Sequence, residues 1–225
     1  MKDIESREVI VRTDDVDLAG NLAVPGGATG IVVFAHGSGS SRFSPRNNFV
    51  AEVIQQAGVA TLLMDLLTSE EEEVDQMTAE LRFNIQLLAE RVVGAVDSLQ
   101  QEPETGHFRI GLFGSSTGAA AALVAAAARP YGVHAVVSRG GRPDLAGDSL
   151  GLVQAPTLLL VGGNDDVVIE LNRDAYGRMD CEKELRIIPG ATHLFAEPGT
   201  LEQVAKEAAG WFADHLAIGE QPAAQ

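Results

Sequence analysis

The sequence predicts an α/β protein with a mostly parallel β-sheet and helices on both faces. Residues 31–35, 59–64 and 156–161 are short, continuous apolar runs that include β-branched residues, a pattern typical of strands buried on both faces. Segments with apolar residues at helical spacing separate these runs. The repeated alternation of strand and helix indicates parallel strands joined by helical crossovers.

Turn and capping residues set the ends of the expected elements. Residues 8–13 and 18–24 partly alternate between apolar and polar side chains around an acidic turn, which indicates an N-terminal antiparallel hairpin. Ser44 and Pro45 suit the N-cap and first position of a helix over 45–57, and Gly58 ends it. The acidic run over residues 70–73, before the next helix, indicates a solvated loop or a helix start. The other strands are expected at 110–113, 132–137 and 185–188, and the other helices at 78–101, 119–128, 168–177 and 201–216.

Length and composition predict a single domain over residues 1–225, with an ordered core over about 7–217 and a loose C-terminal tail. Hydrophobic residues make up 45% of the chain, enough for one buried core, and no shift in composition divides it. The formal net charge of −16 repels nucleic acid and anionic membranes, so we expect neither as a partner.

The N-terminus and the cysteine content predict a cytoplasmic location. The first eight residues are charged and lack the apolar core of a signal peptide, and no apolar run is long enough to span a bilayer. Cys181 is the only cysteine, so no internal disulfide can form, which suits a reducing compartment. Its acidic neighbours disfavour the thiolate, and we do not expect Cys181 to be catalytic.

The segment 109–129 carries the main functional motif. A short apolar run leads to Gly114, Ser116 follows at the centre of a Gly-x-Ser-x-Gly motif, and Gly118 opens a long Ala/Leu/Val helix. At a strand-to-helix turn this motif is a nucleophile elbow, which lifts the serine hydroxyl above the end of the sheet. Glycines are needed because the serine occupies a strained backbone where neighbouring side chains would collide. Ser116 is therefore the predicted nucleophile, provided that an acid and a histidine follow downstream.

A carboxylate and a histidine do follow, at the ends of two later strands. Asp165 and Asp166 come just after one expected strand, and His193 comes just after the last. Because the carboxyl ends of parallel strands meet at one edge of a sheet, these side chains can reach Ser116. His193 is the expected base and then acid, and a carboxylate orients its ring. Spacing leaves the choice between Asp165 and Asp166 open; we favour Asp165, which lies nearer the strand end.

The glycine-rich loop after the first buried strand is expected to face the same crevice. We predict that the backbone N–H groups of Ser38 and Thr117 form the oxyanion hole. An ordinary Gly/Ser turn is the alternative for this loop. His36, at its start, is expected to fix the loop rather than to act as a base.

Together these motifs resemble the dienelactone hydrolase-like group of α/β-hydrolases. The stretches HGSGSSRFSPRN, FGSSTGAAAAL, VGGNDDVV and IPGATHLF carry the likeness, which covers nearly the whole chain. The resemblance implies the α/β-hydrolase fold and an ester hydrolase, and it also favours Asp165 as the acid. Dienelactone hydrolases carry a cysteine nucleophile, so the serine here supports a serine ester hydrolase and not the dienelactone substrate. Related sequences occur alongside a phosphoribosyltransferase domain; none fits within this chain, which leaves such a domain as a partner.

Arg42 and Arg139 are the candidate substrate-binding residues. Arg42 and Arg46 follow the glycine loop, and Arg139 and Arg142 follow the strand after the elbow. Each can bind an acidic substrate group or pair with one of the many carboxylates. The stretch between the elbow and the acid is too short for a large lid domain, so we expect an open site. We expect no cofactor and no metal, because histidines and carboxylates never fall in a ligand spacing.

The sequence thus predicts a serine hydrolase that cleaves a small or acidic carboxylic ester through an acyl-serine intermediate. A thioesterase or short-peptide hydrolase would use the same machinery. A non-catalytic binding or partner module on a hydrolase fold is the third reading, since fold alone does not give activity. The complete set of serine, histidine and aspartate argues against a purely binding role. The expected partners are a small-molecule ester and, in a homodimer, a second copy of the chain.

Overall fold

The computed structural model describes residues 3–13 and 15–217. Within them one eight-stranded sheet has the order β1-β2-β4-β3-β5-β6-β7-β8. Its strands are β1 (Ile4–Arg12), β2 (Asp17–Pro25), β3 (Gly30–Ala35), β4 (Ala60–Met64), β5 (Arg109–Ser115), β6 (Val133–Arg139), β7 (Thr157–Gly162) and β8 (Lys183–Ile188). The pairs β1–β2 and β2–β4 are antiparallel, and the other neighbouring strands pair in parallel. The mostly parallel sheet with an N-terminal antiparallel hairpin is confirmed. The tail predicted after residue 217 lies outside the described residues.

Helices cover both faces of the sheet, as the sequence predicts. They are α1 (Pro45–Gln56), α2 (Ser69–Thr78), α3 (Ile85–Gln101), α4 (Thr117–Ala128), α5 (Asp166–Arg178) and α6 (Thr200–Leu216). Side chains alternate along each strand, so Val33 and Leu112 enter the cluster under α3 and α4, whereas Phe34 and Phe113 enter the cluster under α1 and α6. The central strands β3, β5 and β7 are therefore apolar on both faces, which explains their continuous hydrophobic runs.

The single helix predicted over 78–101 is wrong at its start. The acidic run forms the first turn of α2, where Thr68 and Glu71 cap each other: Glu71 N–H donates to Thr68 Oγ1 (3.2 Å) and Thr68 N–H donates to Glu71 Oε2 (2.8 Å). Carboxylates in a first turn also interact favourably with the helix dipole. The helix ends at Ala79, whose φ of 55° is left-handed, and α3 starts afresh with Asn84 as its N-cap.

A ten-residue 3₁₀ segment, Pro143–Leu152, lies between β6 and β7 and was not predicted. It is kinked at Gly147, whose φ of 55° suits glycine. The connection is short, and the fold shows no lid domain in the described residues, as expected. The carboxyl ends of β3, β5, β6, β7 and β8 consequently remain open along one edge.

Candidate active site

Ser116 occupies a sharp turn between β5 and α4. Its φ of 52° and ψ of −122° are strained for a residue with a side chain. The two glycines of the motif allow neighbouring backbone to approach closely. A Cβ at Gly118 would lie 2.2 Å from the carbonyl oxygen of Ala35, and one at Gly114 would lie 2.4 Å from Ala119 Cα. Ser116 therefore lies at a strained strand-to-helix turn, with its side chain half-buried at the sheet edge.

His193 and Asp165 are hydrogen-bonded to each other. The distance from His193 Nδ1 to Asp165 Oδ2 is 2.7 Å, with 40% of the histidine side chain and 16% of the aspartate side chain exposed. A carboxylate on Nδ1 fixes the tautomer in which Nε2 is free to accept a proton. Asp166 is exposed and forms the first residue of α5. Of the two candidate acids, Asp165 is thus the one in contact with the histidine.

Ser116 and His193 line the same cavity of about 190 Å³. In the described residues the Ser116 hydroxyl makes no hydrogen bond to His193. Such contacts are often long without substrate and tighten when it binds. At Ser40 and Ser44 this cavity meets a larger one of about 450 Å³, lined in part by Asp65, Thr68 and Glu72.

The β3–α1 loop lies directly against the elbow. Ser38 Oγ is 2.9 Å from Thr117 Oγ1, and a Cβ at Gly37 would lie 3.1 Å from Ser116 Cβ. Thr117 is the first residue of α4, where backbone N–H groups have no partner within the helix. Ser38 and Thr117 therefore contact each other directly beside Ser116.

His36 is a structural residue of this loop. Its Nε2 accepts the backbone N–H of Leu66 at 3.1 Å, and its Nδ1 lies 3.0 Å from the carbonyl oxygen of Gly37 and donates to it. Burial lowers the pKa of the His36 imidazole, which keeps the ring neutral. The ring ties the glycine loop to the segment after β4.

The two candidate substrate-binding arginines have different surroundings. Arg42 forms an ion pair with Asp65, whose other oxygen accepts the Arg42 backbone N–H at 2.8 Å, and Arg42 does not line the cavity of Ser116. Arg139, at the end of β6, lines that cavity and is 9% exposed. Burial and the nearby charge of Arg46 lower the pKa of Arg139 to about 10. Arg139 thus stays charged at neutral pH with little solvent around it.

The sequence analysis does not identify Asn47 as a residue of the site. Its Oδ1 accepts a hydrogen bond of 3.3 Å from Arg139 Nη2, and its side chain is buried in the second position after Pro45 in α1. An asparagine in the first turn of a helix looks like an ordinary capping residue. Only the packing of α1 against the end of β6 brings it to the site.

Two further properties concern the described residues as a whole. They contain no group of three or more His, Cys, Asp or Glu side chains arranged to hold a metal ion. None of their helices combines the length and the apolar character that a bilayer crossing requires.

Comparison with solved structures supports the fold. The structure of a dienelactone hydrolase from Anabaena variabilis ATCC 29413 is 60% identical, with a TM-score of 0.94 over 95% of this chain and 99% of that chain. Est1E from Butyrivibrio proteoclasticus has a TM-score of 0.77 over 94% of this chain and 99% of its own, at 17% identity. At that identity the second likeness concerns the fold alone.

Two curated relatives come from Mycobacterium tuberculosis, strains CDC 1551 / Oshkosh and ATCC 25618 / H37Rv. Each bears the name "Putative phosphoribosyl transferase" and is 58% identical over 213 residues. The match covers 95% of this chain and 47% of each relative, so the chain spans about half their length. The model of the Dienelactone hydrolase family matches residues 18–216, nearly all of the sheet and helices described above. The chain therefore belongs to the dienelactone hydrolase family.

Proposed function

We propose that this protein is a serine hydrolase that cleaves carboxylic esters through an acyl-serine intermediate. The observation that carries the proposal is the joint placement of the strained Ser116 elbow and the hydrogen-bonded His193–Asp165 pair on one cavity. An unassisted serine hydroxyl is a poor nucleophile and needs an adjacent base. In this site the imidazole can supply that base, and the carboxylate can hold it in the required tautomer.

The reaction follows from these roles. Ser116 Oγ attacks the ester carbonyl carbon while His193 Nε2 takes the hydroxyl proton, which gives a tetrahedral intermediate with a negative oxygen. Collapse of this intermediate breaks the carbon–oxygen bond, and His193 gives the proton to the leaving alcohol. Water then attacks the acyl-serine with the same proton transfers and releases the acid. Asp165 stabilises the imidazolium in both halves.

The oxyanion hole is proposed at the backbone N–H groups of Ser38 and Thr117. The contact between the two hydroxyls holds the glycine loop against the helix start, so both N–H groups can converge on one oxygen. Each such donor is typically worth about 3 kcal/mol in the transition state. The positive end of the α4 dipole adds to this stabilisation.

A fluorophosphonate probe tests the nucleophile directly. We expect covalent labelling of the wild-type protein and none of Ser116→Ala. Ser115→Ala is the matched control, because Ser115 is the neighbouring serine, buried at the end of β5, and its variant should still be labelled. Labelling that persists in Ser116→Ala would refute the assignment.

A panel of 4-nitrophenyl esters of graded chain length, including acidic ones, tests the reaction and its range. We expect turnover of short esters, since the cavity beside the nucleophile is small. Turnover should fall on acidification, because a protonated imidazole cannot accept the serine proton. A rate that does not fall at acidic pH would contradict a histidine base.

Two alternative functions predict other outcomes of the same experiments. Thioester or short-peptide substrates turned over faster than the oxygen esters would move the activity to that class, with the same residues. A wild-type protein that neither binds the probe nor turns over any ester would favour a non-catalytic partner module.

We assign the transferase activity in the relatives' name to the half of those proteins that this chain does not match. The family match over residues 18–216 supports this assignment, because it identifies the half that the relatives share with this chain as a hydrolase domain. A phosphoribosyltransferase domain is accordingly a proposed partner. The chain alone should not consume phosphoribosyl pyrophosphate; if it does, the division is wrong.

The cellular setting is also a proposal. We place residues 7–217, as one catalytic domain, in the cytoplasm, and the net charge of −16 supports the absence of nucleic acid and membranes as partners. A homodimer is proposed as the assembly. Light scattering of the purified protein would distinguish it from a monomer.

A further inference from the structure

Arg139 is a buried cation with most of its hydrogen-bonding groups unused. It is 9% exposed, and its one hydrogen bond runs from Nη2 to Asn47 Oδ1 at 3.3 Å. Its Nε and Nη1 atoms are buried and have no partner. The centroid of the Phe195 ring lies 6.0 Å from the Arg139 guanidinium carbon, on another side of the group. A buried charge without a counter-charge is costly, so a partner for these donors is expected.

Arg46 places a second guanidinium at the same cavity. It lies in the first turn of α1, and its Nε is also buried without a partner. Among the described residues no carboxylate lies within 4.0 Å of either guanidinium, although the chain has 32 acidic residues. Arg42 and Arg142 lie close to them in the sequence, and each forms an ion pair with a carboxylate. Of these four arginines, the two without an ion pair are the ones that line the cavity of Ser116.

The surrounding backbone favours an anion at this place. The first turn of α1 contains no acidic residue, and Ser44, its N-cap, also lines the cavity. The carbonyl oxygen of Arg139 accepts the Ser116 N–H at 3.4 Å, so the arginine is anchored directly beside the elbow. Because Arg139 and Ser116 also line one cavity, an anion held by Arg139 can belong to the same molecule as the group attacked by Ser116.

We propose that Arg139 and Arg46 bind an oxyanion, a carboxylate or a phosphate, carried by the ester substrate close to the scissile bond. This rests on the proposed ester hydrolysis and names the class of ester. Guanidinium groups form paired, charge-assisted hydrogen bonds with planar oxyanions, which suits the free Nε and Nη1 of Arg139. Arg139, Arg46 and Ser116 line one cavity of about 190 Å³, so a few atoms suffice to separate the anion from the carbonyl carbon.

The test compares esters that differ only in charge at one end. These are 4-nitrophenyl butyrate, the 4-nitrophenyl monoester of succinic acid, and 4-nitrophenyl 3-phosphonopropionate. For the wild-type protein we expect kcat/KM for at least one anionic ester to exceed that for butyrate by about tenfold or more. The preferred anion distinguishes a carboxylate from a phosphate. Arg139→Gln should lower the ratio of anionic to neutral kcat/KM by about 10- to 100-fold, and Arg46→Gln should lower it less.

Arg173→Gln is the matched control. Arg173 is exposed on α5 and pairs with Glu170, so its variant removes the same charge away from the cavity and should keep the ratio. The inference is overturned if the wild-type ratio of anionic to neutral kcat/KM is near one. It is also overturned if the preference for the anionic ester persists in both Arg139→Gln and Arg46→Gln. If butyrate is still turned over in a Ser116-dependent manner, the proposed function stands while this inference falls.

A binding measurement covers the case in which no ester is turned over. Inorganic phosphate or succinate that binds the native state raises its melting temperature. We expect this rise for the wild-type protein and for Arg173→Gln, and a reduced rise for Arg139→Gln. Equal rises in all three proteins, or no rise with either anion, would overturn the site without reference to catalysis.

Discussion

Replacing Asp165 by Asn removes the charge beside His193, the proposed base, and leaves the shape of the side chain unchanged. Asp165 Oδ2 lies 2.7 Å from His193 Nδ1, and the aspartate side chain is only 16% exposed. A carboxylate at this position accepts the Nδ1 proton and leaves Nε2 as the base. An amide can instead donate to Nδ1, which moves the ring proton to Nε2 and prevents it from accepting the serine proton.

The size of the effect follows from the geometry. Two unit charges about 4 Å apart at a partly buried site interact by roughly 4 kcal/mol, and this interaction with the imidazolium is gained as the serine is deprotonated. At about 1.4 kcal/mol for each tenfold change in rate, the charge alone is worth about a thousandfold. With the tautomer included, we expect Asp165→Asn to lower kcat by about 10³- to 10⁴-fold, with little change in KM.

The assay is steady-state hydrolysis of a short 4-nitrophenyl ester, with melting temperatures to show that each variant is folded. Asp166→Asn is the matched control, since Asp166 is the adjacent residue, exposed at the start of α5. We expect its kcat to stay within about threefold of the wild-type value, as for exposed residues outside the site. The reasoning is refuted if Asp166→Asn falls as far as Asp165→Asn, or if Asp165→Asn keeps wild-type turnover.

Three predictions concern stability. Gly118→Ala places a Cβ 2.2 Å from the carbonyl oxygen of Ala35, so we expect a loss of at least about 2 kcal/mol in urea unfolding; an unchanged midpoint would contradict this. Burial lowers the pKa of His36, so the unfolded chain binds the extra proton first and the wild-type protein loses stability as the pH falls through about 6.5. The stability gap between wild type and His36→Leu, which loses the acceptor for Leu66 N–H, should thus be smaller at pH 5 than at pH 8; equal gaps would disprove the coupling. Phe212→Ala empties a fully buried site and should cost about 3–5 kcal/mol, whereas a loss below about 1 kcal/mol would show that the site collapses.

The proposed nucleophile, histidine and acid could be picked out from the sequence because each follows a buried strand. Ser116, Asp165 and His193 come directly after, or within five residues of, β5, β7 and β8. Parallel strands bring their carboxyl ends to one edge, so position along the chain translates into position at the site. The choice between adjacent aspartates depends on side-chain direction, which only the structure gives.

Features that depend on tertiary contacts could not be predicted. The break between α2 and α3 has no proline or glycine to mark it, and it follows from the buried carboxylate of Asp75, which accepts the backbone N–H groups of Leu81 and Arg82 at 2.8 and 3.0 Å. Likewise, Arg42 and Arg139 were equivalent candidates in the sequence. Their difference arises because Asp65 reaches one of them and no carboxylate reaches the other within the described residues.

The turn of Ser116 and the loop of His193 are each held in shape by the fold before substrate arrives. Ser116 and Phe195 both adopt a φ of 52°, a conformation that costs a residue with a side chain about 1–3 kcal/mol. Close packing at Gly118 keeps Ser116 in its strained turn. Phe195 is 2% exposed and anchors the loop that carries His193. Thr192 stabilises the same loop by donating its N–H to Glu197 at 3.0 Å. Because packing sustains the strain at both positions, the turn of Ser116 and the loop of His193 are preorganised for their proposed roles by the same core that stabilises the sheet.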